Sequence, residues 1–168
     1  MTVTNETHLP PLGVQVREEV GGELQATLVD LIDLTLWGKQ LHWSVAGPLF
    51  QVLHERLDEL VDSWRELADT VAERAVAVGH WPDGQAQAVA AGKDHTAIER
   101  GPLEDQAVLR LLAGRLAEVS ERSRQRLERL GELDLVSQDV LIEVVRDLEE
   151  QLWMSRAQLP GQTSHGGA

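Results

Sequence analysis

The chain has 168 residues, of which 42% are hydrophobic and 26% are charged, and 28 acidic against 15 basic residues give a formal net charge of −13. This length and composition are typical of one globular domain with a substantial core. Because the chain has no cysteine, disulfides, thiol catalysis and thiolate metal sites are excluded, and a tight metal site must use histidine and carboxylate ligands.

Four long helices are predicted from apolar residues that recur every three or four positions, and no segment alternates with the period of a strand. We place the helices at about residues 17–45, 49–78, 103–130 and 138–158. The turn at 46–48, Gly79, Gly131 and Pro160 are the expected helix ends, and Ser137 is the expected N-cap of the fourth helix.

Residues 79–102 form a long connection between the second and third helices, with a short helix expected at about 85–91. A four-helix bundle with one long crossover is typical of ferritin-like folds, whereas simple up-down bundles have short loops. We therefore predict an all-α, ferritin-like four-helix bundle over residues 15–159. Residues 1–14 and 160–168 are expected to be flexible tails.

The second helix carries four potential metal ligands on one face. His54, Asp58, Asp69 and Glu73 fall within an arc of about 100° on a helical wheel and point away from the apolar stripe. An ordinary solvated acidic face gives the same pattern and remains the alternative. Asp58 and Asp69 are separated by about 16 Å along the axis, so one chain cannot bring all four side chains to one ion.

A two-fold axis would remove this difficulty. If the face packed antiparallel on its copy, crossing near residues 63–64, His54 and Asp58 of one chain would lie level with Asp69 and Glu73 of the other. Two equivalent sites would then form, because such an interface is isologous.

His42 is expected to join each site, because residues 42 and 54 are equidistant from a hairpin turn near Pro48. The alternative for His42 is a buried, hydrogen-bonded core residue, since it lies on the apolar stripe of the first helix. A set of two imidazoles and three carboxylates suits Fe(II), Mn or Zn.

Several stretches of the sequence resemble the Dps family, the ferritin-like mini-ferritins named as DNA-binding proteins from starved cells. They are KQLHW (39–43), the Gly-Pro-x-Phe turn (47–50), LHERLD (53–58), DTVAER (69–74) followed by Gly79, and LIEVVRDLEEQLWMSRAQL (141–159). The resemblance covers about residues 15–160, and the spacing of its histidines and acids is specific.

This resemblance implies a di-iron ferroxidase centre between two-fold-related subunits. His42, His54 and Asp58 would come from one subunit, and Asp69 and Glu73 from the other. Standard ferritin-like di-iron sites use Glu-x-x-His pairs inside the bundle, and no glutamate of this sequence is followed three residues later by histidine.

The resemblance also implies a hollow dodecamer of 23 symmetry, which oxidises Fe(II), often with hydrogen peroxide rather than O2, and stores the ferric mineral inside. Such a protein protects against oxidative damage. Trp43 matches a family tryptophan thought to absorb stray oxidising equivalents, although a packing aromatic is an equal alternative. Lys39 is expected to pair with an acidic group near the site.

Iron entry pores of the family are lined by acids near the start of the last helix. The matching candidates are Asp134, Asp139 and Glu143, which the helix macrodipole would explain equally well. His80, His95 and His165 are assigned no role.

Two other functions stay open. One is a nucleoid-associated structural protein that compacts DNA. The other is a two-fold structural site occupied by zinc or manganese without ferroxidase activity, since the ligand set does not select the metal.

We expect a cytoplasmic location, because no apolar run approaches the about 20 residues of a membrane span and residues 1–16 lack the features of a secretory signal.

DNA binding is predicted to be weak or absent. Binding to nucleic acid draws most of its affinity from Lys and Arg that neutralise phosphates, but residues 1–16 hold one charged side chain, Glu6, and residues 157–168 hold none. In a gel-shift assay at about 0.1 M salt, duplex DNA should migrate freely at micromolar protein. Retention at sub-micromolar protein would contradict this expectation.

Overall fold

The structure, a computed structural model, describes residues 9–92 and 97–160. Its helices are α1 (Val14–Ser44), α2 (Phe50–Ala77), α3 (Ala86–Ala90), α4 (Asp105–Leu133) and α5 (Leu135–Ala157). α1 packs along α2, α4 packs along α5, and the two hairpins pack on each other through α1 with α4 and α2 with α5. The prediction of an all-α, ferritin-like four-helix bundle with a crossover that contains a short helix is confirmed.

Three local predictions are wrong. Two short strands, β1 (Val45–Ala46) and β2 (Leu103–Glu104), pair in parallel where no strand was expected. α4 continues through Gly131 to Leu133. The N-cap of α5 is Asp134 rather than Ser137, and its side chain accepts the Ser137 N–H. Most of the predicted tails, residues 1–14 and 160–168, lies outside the described residues, so the prediction that they are flexible stays untested. His95 and His165 also lie outside the described residues.

Asp134 displaces Ser137 as the cap because a second helix supports its carboxylate. Oδ2 of Asp134 accepts the Ser137 N–H at 3.0 Å and the Ser137 hydroxyl at 2.5 Å, and Arg74 of α2 donates to the same oxygen at 2.7 Å. Burial raises the pKa of Asp134, but the hydrogen bonds from Ser137 and Arg74 outweigh it, so the pKa lies below its ordinary value. The capping contact therefore also ties α2 to the start of α5.

The centre of the bundle is organised around Trp64 of α2, which is fully buried. Its indole N–H donates to Oε1 of Gln151 in α5 at 2.7 Å, and the Gln151 amide donates to Oγ of Ser63 at 3.2 Å. On its other side the ring lies against Gly38 of α1, where an added Cβ would come within 2.4 Å of it. Three helices thus meet at one side chain.

Arginines of α4 tie this helix to α1. The Asp30 carboxylate accepts two hydrogen bonds from Arg122, at 3.0 and 3.1 Å, and one from Arg126 at 2.7 Å, while Arg129 donates to Glu23. Much of the positive charge of α4 is therefore engaged with carboxylates inside the subunit.

None of the helices in the described part of the chain has the length and apolarity that a membrane span requires.

We predict that Gly38→Ala destabilises the protein. Alanine is the better helix former by about 0.5–1 kcal/mol, but its Cβ would meet the rigid, buried Trp64 ring, and overpacking of this kind costs about 1–3 kcal/mol. The midpoint of urea unfolding should therefore fall.

Gly22 provides the matched control in the same helix, because an added Cβ there has no neighbour within 4 Å. Gly22→Ala should raise the urea midpoint through helix propensity alone. A Gly38→Ala variant as stable as the wild type would show that the α1–α2 contact at Trp64 is not tight.

Candidate metal centre

Two histidines from adjacent helices are joined by reciprocal hydrogen bonds. Nδ1 of His42 in α1 lies 2.9 Å from the backbone oxygen of His54, and Nδ1 of His54 in α2 lies 3.0 Å from the backbone oxygen of His42. The two rings stack with their centroids 3.6 Å apart. The expectation that the hairpin places these histidines level is confirmed.

These bonds decide which nitrogen of each ring carries the proton. A backbone carbonyl can only accept a hydrogen bond, so Nδ1 must be the N–H of both imidazoles. In the neutral imidazole Nε2 then keeps its lone pair, and this is the atom and the tautomer that a metal ion requires. His42 is buried at 6% exposure, so it fits both interpretations of its role, as a hydrogen-bonded core residue and as a ligand.

Asp58 completes a group of polar side chains at this end of the hairpin. Its Oδ1 lies 3.3 Å from Nδ1 of His42 and accepts a hydrogen bond from Lys39 Nζ at 2.5 Å. Lys39 thus has the acidic partner that was expected. Asp58 is half exposed, so its carboxylate is reachable from outside the subunit.

The electrostatics of Asp58 favour its ionised form. The hydrogen bond from the Lys39 ammonium is the main reason why the pKa of this carboxyl lies below its ordinary value. Burial opposes the effect, and the charges of Lys39 and of His42 in its protonated form reinforce it. The carboxylate is consequently negative at neutral pH and can bind a cation.

The other two candidate ligands lie elsewhere on α2. Asp69 and Glu73 are exposed, further along the same outward face. Within residues 9–92 and 97–160 of one chain, no three His, Asp or Glu side chains are grouped so that they could hold a metal ion. His42, His54 and Asp58 are thus neighbours at the hairpin of one subunit, but they do not form a complete metal site by themselves, and Asp69 and Glu73 lie away from them.

Trp43 follows His42 but points outward, with 70% of its surface exposed and the Lys39 ammonium 6.0 Å from its ring centroid. It therefore does not pack in the core of its own subunit.

Among the pore candidates, Asp134 is engaged by Arg74 and Ser137, whereas Asp139 and Glu143 are exposed on α5.

Two neighbours of the site were not anticipated from the sequence. The Phe50 ring lies 5.0 Å from the His54 ring, and i, i+4 spacing on α2 could have indicated this contact. Asp105 accepts the Leu49 N–H in the turn between the histidines. Nothing local signals that contact, because 56 positions separate the two residues.

Comparisons with known proteins agree with this architecture. Residues 22–161 match the family model described as a ferritin-like domain. A DNA protection during starvation protein of Mycolicibacterium smegmatis is 38% identical over 164 residues, which is 95% of this chain and 88% of that protein.

Solved structures give the same relationship. DpsA14 from Streptomyces coelicolor superposes with a TM-score of 0.88 at 33% identity and covers 96% of both chains. The tetragonal form of Mycobacterium smegmatis Dps superposes with a TM-score of 0.87 at 35% identity, over 92% of this chain and 94% of that one. The chain belongs to the Dps family of ferritin-like proteins.

Proposed function

We propose that this protein is a ferroxidase and iron-storage mini-ferritin. It oxidises Fe(II), with hydrogen peroxide as the favoured oxidant, at di-iron sites between two subunits and retains the ferric product in a dodecameric cage. Iron binding is what membership of the family implies. The oxidation, the shared site and the cage are the proposal.

One observation carries it: the mutual hydrogen bonds of His42 and His54 use Nδ1 of both rings, so that each neutral ring offers Nε2 to a metal ion, beside an ionised Asp58. Imidazole nitrogen and carboxylate oxygen are ligands for Fe(II), whereas neither a solvated acidic face nor a simple core histidine needs two matched tautomers. The donor set therefore fits iron.

The second half of the site would come from a two-fold-related subunit. The midpoint between His54 and Glu73 coincides with the midpoint between Asp58 and Asp69, at positions 63–64 of α2. An antiparallel crossing at that point brings both acids of one copy level with the ligands of the other. The exposure of Asp69 and Glu73 in the single subunit supports this arrangement.

The ligands would favour oxidation because hard carboxylates stabilise Fe(III) more than Fe(II). Two Fe(II) ions held together supply the two electrons that, with two protons, reduce one peroxide to two waters, so no hydroxyl radical needs to form. Trp43, exposed next to His42, would intercept oxidising equivalents that escape. The same donor set also accepts zinc or manganese. The protein is expected to lie in the cytoplasm.

We predict that His54→Ala and Asp58→Ala abolish rapid ferroxidation. Loss of a group that merely supports a metal ligand costs about 10- to 100-fold in metal affinity or activity, so loss of a ligand should cost at least about 100-fold. The rate is measured as ferric absorbance after Fe(II) and peroxide are added to metal-free protein.

Glu59→Ala is the matched control. Glu59 is an exposed carboxylate next to Asp58 in α2 but outside the arc of the four candidate ligands, and it binds Arg56 instead of a histidine. Its rate should equal that of the wild type, and every variant should keep the size of a twelve-subunit assembly. Unchanged rates in His54→Ala and Asp58→Ala would exclude the ferroxidase function and leave the structural zinc site as the alternative.

The sharing of the site between subunits has its own test. When His54→Ala and Asp69→Ala chains are co-expressed, a mixed two-fold interface contains one doubly damaged site and one intact site. Half of the interfaces are mixed under random assembly, so about a quarter of the wild-type activity should return.

Each variant alone should be inactive, because all its interfaces then carry the same defect. As a control, co-expression of His54→Ala with Asp58→Ala should restore nothing, since both defects lie on the same half of the site. Recovery in that control, or none in the first pair, would mean that the ligands are not divided between subunits as proposed.

A further inference from the structure

A buried carboxylate holds the α1–α2 turn from outside the hairpin. Asp105, the first residue of α4, is 8% exposed, and its Oδ2 accepts the Leu49 N–H at 2.9 Å. Leu49 is the N-cap residue of α2, which begins at Phe50. An added Cβ at Gly47 would lie 2.9 Å from the same oxygen, so the turn closes tightly around the carboxylate.

Two further features join this turn to the start of α4. β1 and β2 pair Val45 with Leu103 just before Asp105. Within the turn, the Phe50 N–H donates to the Gly47 oxygen at 3.0 Å, and Gly47 has a φ of 119°, which L side chains rarely adopt. The bend between α1 and α2 is therefore shaped against α4.

We propose that Asp105 is a positioning residue for the metal centre. By holding the Leu49 N–H, it fixes the register of α2 against α1 and thereby keeps His42 and His54 level. The inference rests on the proposed role of these histidines as metal ligands. Asp105 itself touches neither ring nor metal.

The histidine pair tolerates little movement of α2. A slip of one residue displaces a side chain by about 1.5 Å along the axis and turns it by about 100°. The two bonds from His42 and His54 are 2.9 and 3.0 Å long, and hydrogen bonds weaken steeply beyond such lengths. A shift at the start of α2 would release both bonds together and redirect both Nε2 lone pairs.

A carboxylate suits this position for electrostatic reasons. Burial of a charge is unfavourable unless the charge is hydrogen-bonded, and Asp105 lies at the N-terminal ends of both α2 and α4, where helix dipoles favour negative groups. A purely structural anchor would show the same features. Metal affinity, measured apart from global stability, distinguishes the two roles.

The test is Co(II) binding to the assembled, metal-free protein by calorimetry and visible absorption. Co(II) carries the charge of Fe(II) without being consumed by the reaction. Asp105→Ala should weaken Co(II) binding about 10- to 100-fold, as is typical when the support of a metal ligand is lost, and should change the absorption of the bound ion. Asp105→Asn keeps an acceptor oxygen for Leu49 and should bind Co(II) like the wild type.

Leu130→Ala is the stability control. Leu130 is fully buried in the same helix but lies about 38 Å from Asp105 along the axis, so its loss weakens the core without reaching the turn. It should lower the urea midpoint and leave Co(II) affinity unchanged.

Wild-type affinity in Asp105→Ala would overturn the inference. So would an equal loss of affinity in Asp105→Asn or in Leu130→Ala. His54→Ala separates this failure from that of the proposed function. If Co(II) binding does not depend on His54, the metal centre itself is wrong, whereas binding that depends on His54 but not on Asp105 removes only the positioning role.

Discussion

Two hydrogen bonds, each from an imidazole Nδ1–H to the backbone carbonyl of the other histidine, join α1 to α2 beside their turn. They exist only while the helices keep one register, and in that register Nε2 is the nitrogen that each neutral ring can offer to a metal ion. The turn, its contact with α4 through Asp105, and the close approach of Gly38 to Trp64 all maintain that register. Helix packing and the orientation of the proposed ligands therefore depend on the same contacts.

The geometry of a straight helix limits what this hairpin can do alone. Asp58 joins the histidines because it is one turn beyond His54, but Asp69 and Glu73 are three to five turns away on the same face. No bending of α2 compatible with its buried side could bring them back, since Trp64 fixes the middle of the helix against α1 and α5. Only a second molecule can supply the remaining carboxylates, which is why symmetry is part of the proposed chemistry.

Local periodicity was sufficient to predict the four helices, and the position of Pro48 was sufficient to place His42 and His54 level. Predictions failed where a contact depends on a distant residue. Asp134 caps α5 because Arg74, 60 positions away, supports its carboxylate, and no local pattern distinguishes it from Ser137. Asp105 went unnoticed for the same reason. The contribution of Asp69 and Glu73 to a neighbouring subunit remains a prediction, because it depends on a surface of another chain.

The distribution of charge connects the proposed chemistry with the expected lack of DNA binding. Guanidinium groups of α4 are engaged with Asp30 and Glu23 of α1, which reduces their contribution to a positive outer field. At the candidate metal centre the Lys39 ammonium is bound to Asp58, so it neutralises a proposed ligand rather than attracting phosphate. The outward acids of α2 remain, and an excess of negative field draws in cations while it repels polyanions. A surface suited to collecting Fe(II) is for this reason poorly suited to holding a nucleic acid.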